Sequence, residues 1–201
     1  MQTKIWMLII VGIIGVAFFS VTTFLASGGE TPAHFTNDAF AETVVSTISL
    51  AQTTSSLPVR LRIPVISVDA VILPVGITSE GAMEAPKDPT ETAWFALGPR
   101  PGEEGSAVIA GHFGWKDGEV AVFDKLFEVR KGDVLFVEDE GGVVYTFVVR
   151  ELRSYEKDAN ASGIFSTEAG KTQLVLITCE GDWNKNEQSY TKRLVVFADL
   201  K

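Results

Sequence analysis

The chain is 201 residues long, and its 26 Asp and Glu outnumber its 17 Lys and Arg for a formal net charge of −9. That balance offers no electrostatic grip on a phosphate backbone, so nucleic-acid binding is excluded. Hydrophobic residues make up 46% and charged residues 21%, which excludes a disordered chain, and the single cysteine, Cys179, excludes an intramolecular disulfide and a cysteine-built zinc site.

The first predicted element is a membrane helix. No charged side chain occurs from Ile5 to Gly29, and the 21 residues from Ile5 to Leu25 are dominated by large apolar groups. As an α-helix that run matches the roughly 30 Å hydrocarbon core of a bilayer. Lys4 and the α-amino group lie ahead of it, while Glu30, Asp38 and Glu42 come after it with no Lys or Arg nearby. The positive-inside bias makes residues 1–4 cytoplasmic, residues 5–26 a signal anchor and the remainder extracellular. A cleaved signal peptide is the competing reading, because Ala26, Ser27, Gly28 and Gly29 are small enough for a peptidase. Both readings export the remainder of the chain.

Residues 27–57 are rich in Ser, Thr and Ala and read as a stalk, with a short helix expected over 38–51 behind an Asn37 or Asp38 cap. From residue 58 to 201 the pattern changes to short β-type runs separated by Gly, Pro and acidic turns, as in a small sandwich or barrel. Strands are expected over 59–63, 70–75, 106–110, 134–138, 143–153, 173–178 and 193–199. Asp139-Glu140-Gly141-Gly142 between two β-branched runs predicts a hairpin turn. The spacing of apolar residues over 121–129 predicts one short helix crossing the barrel.

Three residues suggest chemistry. Cys179 ends the apolar run Leu174-Val175-Leu176-Ile177-Thr178 and is followed two positions later by Gly181. Most free cysteines are small buried hydrophobes, but an exported protein that keeps one unpaired thiol exposes it to oxidation, which marks it as reactive. A thiol needs a base to act near neutral pH, and imidazole is the usual one. Of the two histidines, His34 lies in the stalk, whereas His112 ends a second apolar run, Ala107-Val108-Ile109-Ala110-Gly111. Two strands would thus deliver Cys and His to their C-terminal ends. Arg193, which opens the last run, offers a permanently charged fork to an oxyanion or a substrate carbonyl. Its bland alternative is an edge charge that blunts aggregation. The connection Gly181 to Thr191, which contains Trp183 and Tyr190, would border the site if Cys179 and Arg193 sit on adjacent strands.

These residues resemble the sortases, membrane-anchored cysteine transpeptidases of Gram-positive-type cell surfaces. The family pattern Thr-Leu-x-Thr-Cys corresponds to Val175-Leu176-Ile177-Thr178-Cys179, with a β-branched valine in place of the first threonine. Gly111-His112 lies upstream, Arg193 follows Lys192 downstream, and Trp94-Phe95 through Pro101-Gly102 also match. The resemblance implies a mainly β fold, a closed eight-stranded barrel with short helices behind one transmembrane helix. It implies His112, Cys179 and Arg193 as catalytic residues, with Thr178, Trp183 and Arg193 at the substrate. The reaction it implies is cleavage of a Leu-Pro-x-Thr-Gly-type sorting signal through a thioester, then transfer to an amine of peptidoglycan or of a pilin subunit. No cofactor is implied in general; some members use calcium, but Glu103, Glu104, Asp117 and Glu119 lack a regular ligand pattern and read as a solvated surface.

Other cysteine enzymes fit less well. Papain-like peptidases place the cysteine before the histidine, and L,D-transpeptidases carry a local Ser-His-Gly-Cys pattern, whereas here His112 and Cys179 are 67 positions apart. The alternative from another class is an anchored barrel that binds surface proteins or glycans without catalysis.

Overall fold

The computed structural model describes residues 56–160, 162–166 and 169–201. The expected anchor over 5–26 and the expected helix over 38–51 lie outside the described residues. Among the described residues no helix is long and apolar enough to cross a membrane.

Eight strands close into a barrel: β1 Pro58–Ile63, β2 Val68–Val75, β3 Thr92–Phe95, β4 Gly105–Gly111, β5 Val134–Asp139, β6 Val144–Glu156, β7 Thr172–Asn184 and β8 Ser189–Leu200. Their order around the barrel is β1-β2-β3-β4-β7-β8-β6-β5, and antiparallel pairing of β5 with β1 completes the circle. Two pairs are parallel, β2 with β3 and β4 with β7. The second of these matters most, because two parallel neighbours end at the same rim.

Alternation along each strand divides the side chains between two cores. Leu61, Ile63, Ile109, Leu135, Phe147, Leu174 and Leu176 fill the barrel interior. Val108, Val175, Val195 and Phe197, one position out of phase, form a second cluster on the outer face of β4, β7 and β8, capped by Ile164. Both faces of this wall are therefore dry, and its strands read as continuous apolar runs rather than alternating ones.

The turn at 139–142 forms as expected. The Gly142 N–H donates to the Asp139 carbonyl at 2.9 Å, Val143 N–H donates to the Asp139 carboxylate at 2.9 Å, and Gly142 takes the positive φ of 78° that a residue with a side chain disfavours.

Three sequence expectations change. The stretch 121–129 is not an α-helix; only Leu126–Glu128 forms a 3-10 turn. Ala121, Phe123, Leu126 and Val129 are all buried, so their apolar character reflects a loop pressed on the barrel interior. More generally, the described helical segments are 3-10 turns of three residues each. Strand β3 was missing from the expected set, because Thr92, Ala93 and Trp94 are all buried and four residues without alternation carry no strand signal. Its Trp94 indole N–H donates to the Pro99 carbonyl at 3.0 Å. Finally, β7 does not end at Thr178. Gly181, with φ 84°, makes a bulge between Glu180 and Trp183, after which the pairing with β8 resumes. The connection from Cys179 to Arg193 is thus a long hairpin whose unpaired tip is residues 185–188.

Candidate active site

Strands β4 and β7 run side by side with Ala110 opposite Ile177. One step further, the buried Thr178 hydroxyl donates to the Gly111 carbonyl at 2.8 Å. The next residues, His112 and Cys179, therefore leave the paired region at the same level. On the other side of β7, Cys179 is directly opposite Arg193 in the antiparallel ladder with β8. Three neighbouring strands thus present His, Cys and Arg in that order at one rim of the barrel.

Phase decides which way they face. Leu174 and Leu176 point inward, so Val175, Ile177 and Cys179 belong to the outer face, together with Arg193, Val195 and Phe197 from β8. Thr178 belongs to the inner set. Its side chain is buried in the wall and clamps β4 to β7 below the thiol, so it acts on the site by holding two strands in register.

His112 is half-buried, and its Nε2 lies 2.7 Å from the Pro86 carbonyl. A carbonyl only accepts, so this contact places a hydrogen on Nε2 and leaves Nδ1 as the ring nitrogen that can exchange a proton. The Trp115 ring packs on the imidazole with centroids 4.5 Å apart. The preceding glycine is sterically required: a Cβ on Gly111 would sit 2.5 Å from the fully buried Phe123 ring. Phe123 N–H in turn donates to the His112 carbonyl at 3.0 Å.

The loop after His112 is tied down twice more. The Asp124 carboxylate accepts the N–H of Gly114 at 2.7 Å and of Ala121 at 2.9 Å. Gly114 has φ 64°, and a Cβ there would come within 2.3 Å of the Tyr190 hydroxyl. The Tyr190 ring packs edge-on against Phe113 at 5.3 Å and Trp183 at 5.1 Å. Tyr190 therefore joins the β7–β8 hairpin to the His112 loop. Pro86 and Asp124 carried no sequence signal, because each acts through contacts between segments distant along the chain.

Arg193 is held by that same hairpin. Its Nη1 donates to the carbonyls of Tyr190 at 3.0 Å and Lys192 at 2.8 Å, and its Nη2 to the Ser189 hydroxyl at 3.2 Å. Cys179 is half-buried and unpaired. Burial pushes its thiol pKa up and the Arg193 charge pulls it down, with burial the larger effect. Burial thus disfavours the thiolate, which gives a base a role at the moment of attack.

A cavity of about 490 Å³ opens beside the thiol. Cys179 and His112 share it with Phe113, Trp115, Trp183 and Tyr190, and Trp183 is half exposed at its mouth. Arg193 pairs directly with Cys179 across the β7–β8 ladder and is not among the residues that line the cavity. Of the acidic residues weighed for a metal, Glu103 accepts the Arg100 N–H at 2.8 Å and Glu104 the Gly170 N–H at 2.6 Å. Among the described residues no group of three or more His, Cys, Asp and Glu could hold a metal ion.

Cysteine, histidine and arginine carried to one rim of a closed barrel by three neighbouring strands are side chains suited to cysteine-centred acyl transfer. The sortase-domain family model matches residues 61–201, and the chain belongs to the sortase family, whose members are cysteine transpeptidases. No curated protein matches it. Among solved structures it is similar to sortase C-1 of Actinomyces oris at 23% identity and TM-score 0.56, with 71% of each chain covered. A lid mutant of sortase A from Corynebacterium diphtheriae matches at 18% and 0.57, covering 75% of this chain and 73% of that one. The sortase C of Streptococcus pneumoniae, whose structure bears on pilin substrate specificity, matches at 18% and 0.55, covering 72% and 68%. At these identities the likeness is one of fold.

Proposed function

We propose that this chain is a membrane-anchored transpeptidase that cleaves a Leu-Pro-x-Thr-Gly-type sorting signal and joins the acyl part to an amine of the cell wall or of a pilin subunit. The observation that carries the reading is the alignment of His112, Cys179 and Arg193 at one level on β4, β7 and β8.

In the first half-reaction Nδ1 of His112 takes the thiol proton as Cys179 Sγ bonds to the scissile carbonyl carbon. The imidazolium then gives that proton to the departing amine, the C–N bond breaks, and a thioester remains. Arg193 supplies positive charge to the developing oxyanion or to the substrate carbonyl. In the second half-reaction an incoming amine attacks the thioester, its proton passes to His112, and the sulfur leaves and is reprotonated. The N-terminal helix over 5–26 would hold the barrel outside the cell, facing surface proteins as they emerge.

One observation favours the rival reading of an inactive binding module: burial outweighs the pull of Arg193 at the thiol. A thiol whose ionisation burial disfavours is nonetheless what a base-activated nucleophile starts from, and His112 shares its cavity. Intact-mass measurement of the protein mixed with a library of Leu-Pro-x-Thr-Gly variants, with and without glycine oligomers, tests the proposal. A Cys179-linked acyl adduct, or a product carrying the added amine, is expected. The absence of adduct, cleavage and transfer across the library would leave the binding module as the better description.

A further inference from the structure

Strand β4 hands His112 to a loop that is closed by one carboxylate. One oxygen of Asp124 accepts the Gly114 N–H at 2.7 Å and the other accepts the Ala121 N–H at 2.9 Å. Those two amides bracket the turn that carries Trp115, whose ring packs on the imidazole with centroids 4.5 Å apart. The residues just before Asp124 reach the same imidazole by a second route. Phe123 N–H donates to the His112 carbonyl at 3.0 Å, and Val122 N–H donates to the Pro89 carbonyl at 2.8 Å. Pro89 closes the short segment that begins at Pro86, whose carbonyl lies 2.7 Å from His112 Nε2. Asp124 itself is half-buried and is not among the residues that line the thiol's cavity.

The imidazole is thus held from two segments, at its edge by Pro86 and on its face by Trp115, and residues 121–124 tie the two segments together. A free imidazole populates both neutral tautomers and turns about its side-chain bonds, so an acid–base step that uses Nδ1 alone needs both to be fixed. Nucleophile–base pairs commonly orient the base through a third side chain that touches its ring. Here the ring's own hydrogen bond goes to a backbone carbonyl, and the carboxylate stands one step back, on the loop that follows the histidine. We propose that Asp124 is a positioning residue for the acid–base step: by closing the loop from Gly114 to Ala121 it keeps Trp115 on the imidazole and, through Val122 and Pro89, the Pro86 carbonyl on Nε2, so that Nδ1 is the nitrogen that exchanges protons. Its effect on turnover rests on the transpeptidase reading of the site; its effect on the ring does not. The two N–H groups use different oxygens of Asp124, so asparagine, with one acceptor oxygen, keeps one of the two bonds and alanine keeps neither.

The chain has two histidines, so replacing His34 by alanine leaves the imidazole nitrogen signals of His112 alone. In the full chain with His34→Ala and Cys179→Ala, kept in detergent micelles at about pH 8.5 where an ordinary imidazole is neutral, nitrogen NMR should show one tautomer with its hydrogen on Nε2. Adding Asp124→Ala should move both ring nitrogens toward the averaged positions of two exchanging tautomers, and Asp124→Asn should move them part of the way. On a chain that keeps Cys179, Asp124→Ala should lower kcat for peptide cleavage about 100-fold, the cost of a misplacement of about 1 Å, and Asp124→Asn about 10-fold, with KM little changed in either. Val137→Ala is the control, because it truncates a fully buried side chain on β5, away from the His112 loop, and should lower stability while leaving the tautomer and kcat as they are. A mixture of tautomers before Asp124 is touched, a fixed tautomer or normal kcat in a folded Asp124→Ala chain, or an equal loss of kcat in Val137→Ala would each overturn the proposal. Where alanine prevents folding, the isosteric asparagine carries the test, and a fixed tautomer with normal kcat in that variant overturns it. If the chain that keeps Cys179 cleaves no peptide, the transpeptidase reading fails, while the ring signals still decide the role of Asp124.

Discussion

The two halves of β7 show how one strand serves two purposes. From Thr172 to Thr178 it is flanked by β4 on one side and β8 on the other, and Leu174, Val175 and Leu176 are fully buried. Beyond Cys179 it has β8 alone as a partner, passes through the bulge at Gly181, and ends in the exposed residues 185–188. The first half holds the thiol in place by packing on both faces. The second half carries the half-exposed Trp183, which with Tyr190 of β8 forms an aromatic wall of the cavity. Cys179 sits at the boundary, where ladder pairing on both sides gives way to pairing on one.

The largest effect is expected at the boundary itself. Cys179→Ala should abolish cleavage and transfer while leaving the thermal midpoint unchanged, because the side chain is half-buried and adds little to the core. Residual peptide turnover by the purified variant would remove Cys179 as the nucleophile. Gly111→Ala should be nearly as damaging to activity and should also destabilise, by about 1–3 kcal/mol in a denaturant titration, because the added methyl collides with Phe123 and moves His112. A variant with normal stability and activity would show that the His112 loop yields more easily than its contacts imply.

Arg193→Lys should lower kcat/KM about 100-fold, the lower end of the loss of one oxyanion donor, since an ammonium keeps the charge but cannot reproduce the guanidinium fork. Near-normal kinetics would return Arg193 to a structural role in the hairpin. A gentler test reads the thiol directly through the pH dependence of its alkylation. Burial places the inflection above that of an ordinary cysteine, and Arg193→Ala should move it further up by removing the opposing cation. An inflection at or below the ordinary value would mean that the thiol rests as a thiolate paired with His112. The smallest effect is expected at His34, where substitution by alanine should leave peptide cleavage unchanged; a large loss would mean that the wrong histidine is paired with Cys179.

Much of this organisation was legible along the chain. The apolar runs ending in His112 and Cys179 are strands, as expected from the sequence; that they are parallel neighbours carrying both residues to one rim is what barrel closure adds. Arg193 is on the adjacent strand. The reading faltered where local pattern and tertiary context diverge. Gly181 looked like a terminator and is a bulge, because the hairpin beyond it can still pair with β8. Residues 121–129 have helical spacing, yet their apolar side chains are spent on anchoring a loop under Gly111. Strand β3 is too short and too uniformly buried to announce itself.

Residue identity and the apolar runs beside them were enough to pick out histidine, cysteine and arginine in that order along the chain, and their resemblance to the sortases was enough to name the family. Folding into a barrel settled the rest: which nitrogen of His112 is committed to Pro86, that Thr178 faces inward as a clamp, that Arg193 is held by its own hairpin, and that aromatic rings line the thiol's cavity. Those properties arise from contacts between segments that barrel closure brings together, and no local pattern encodes the distance between them.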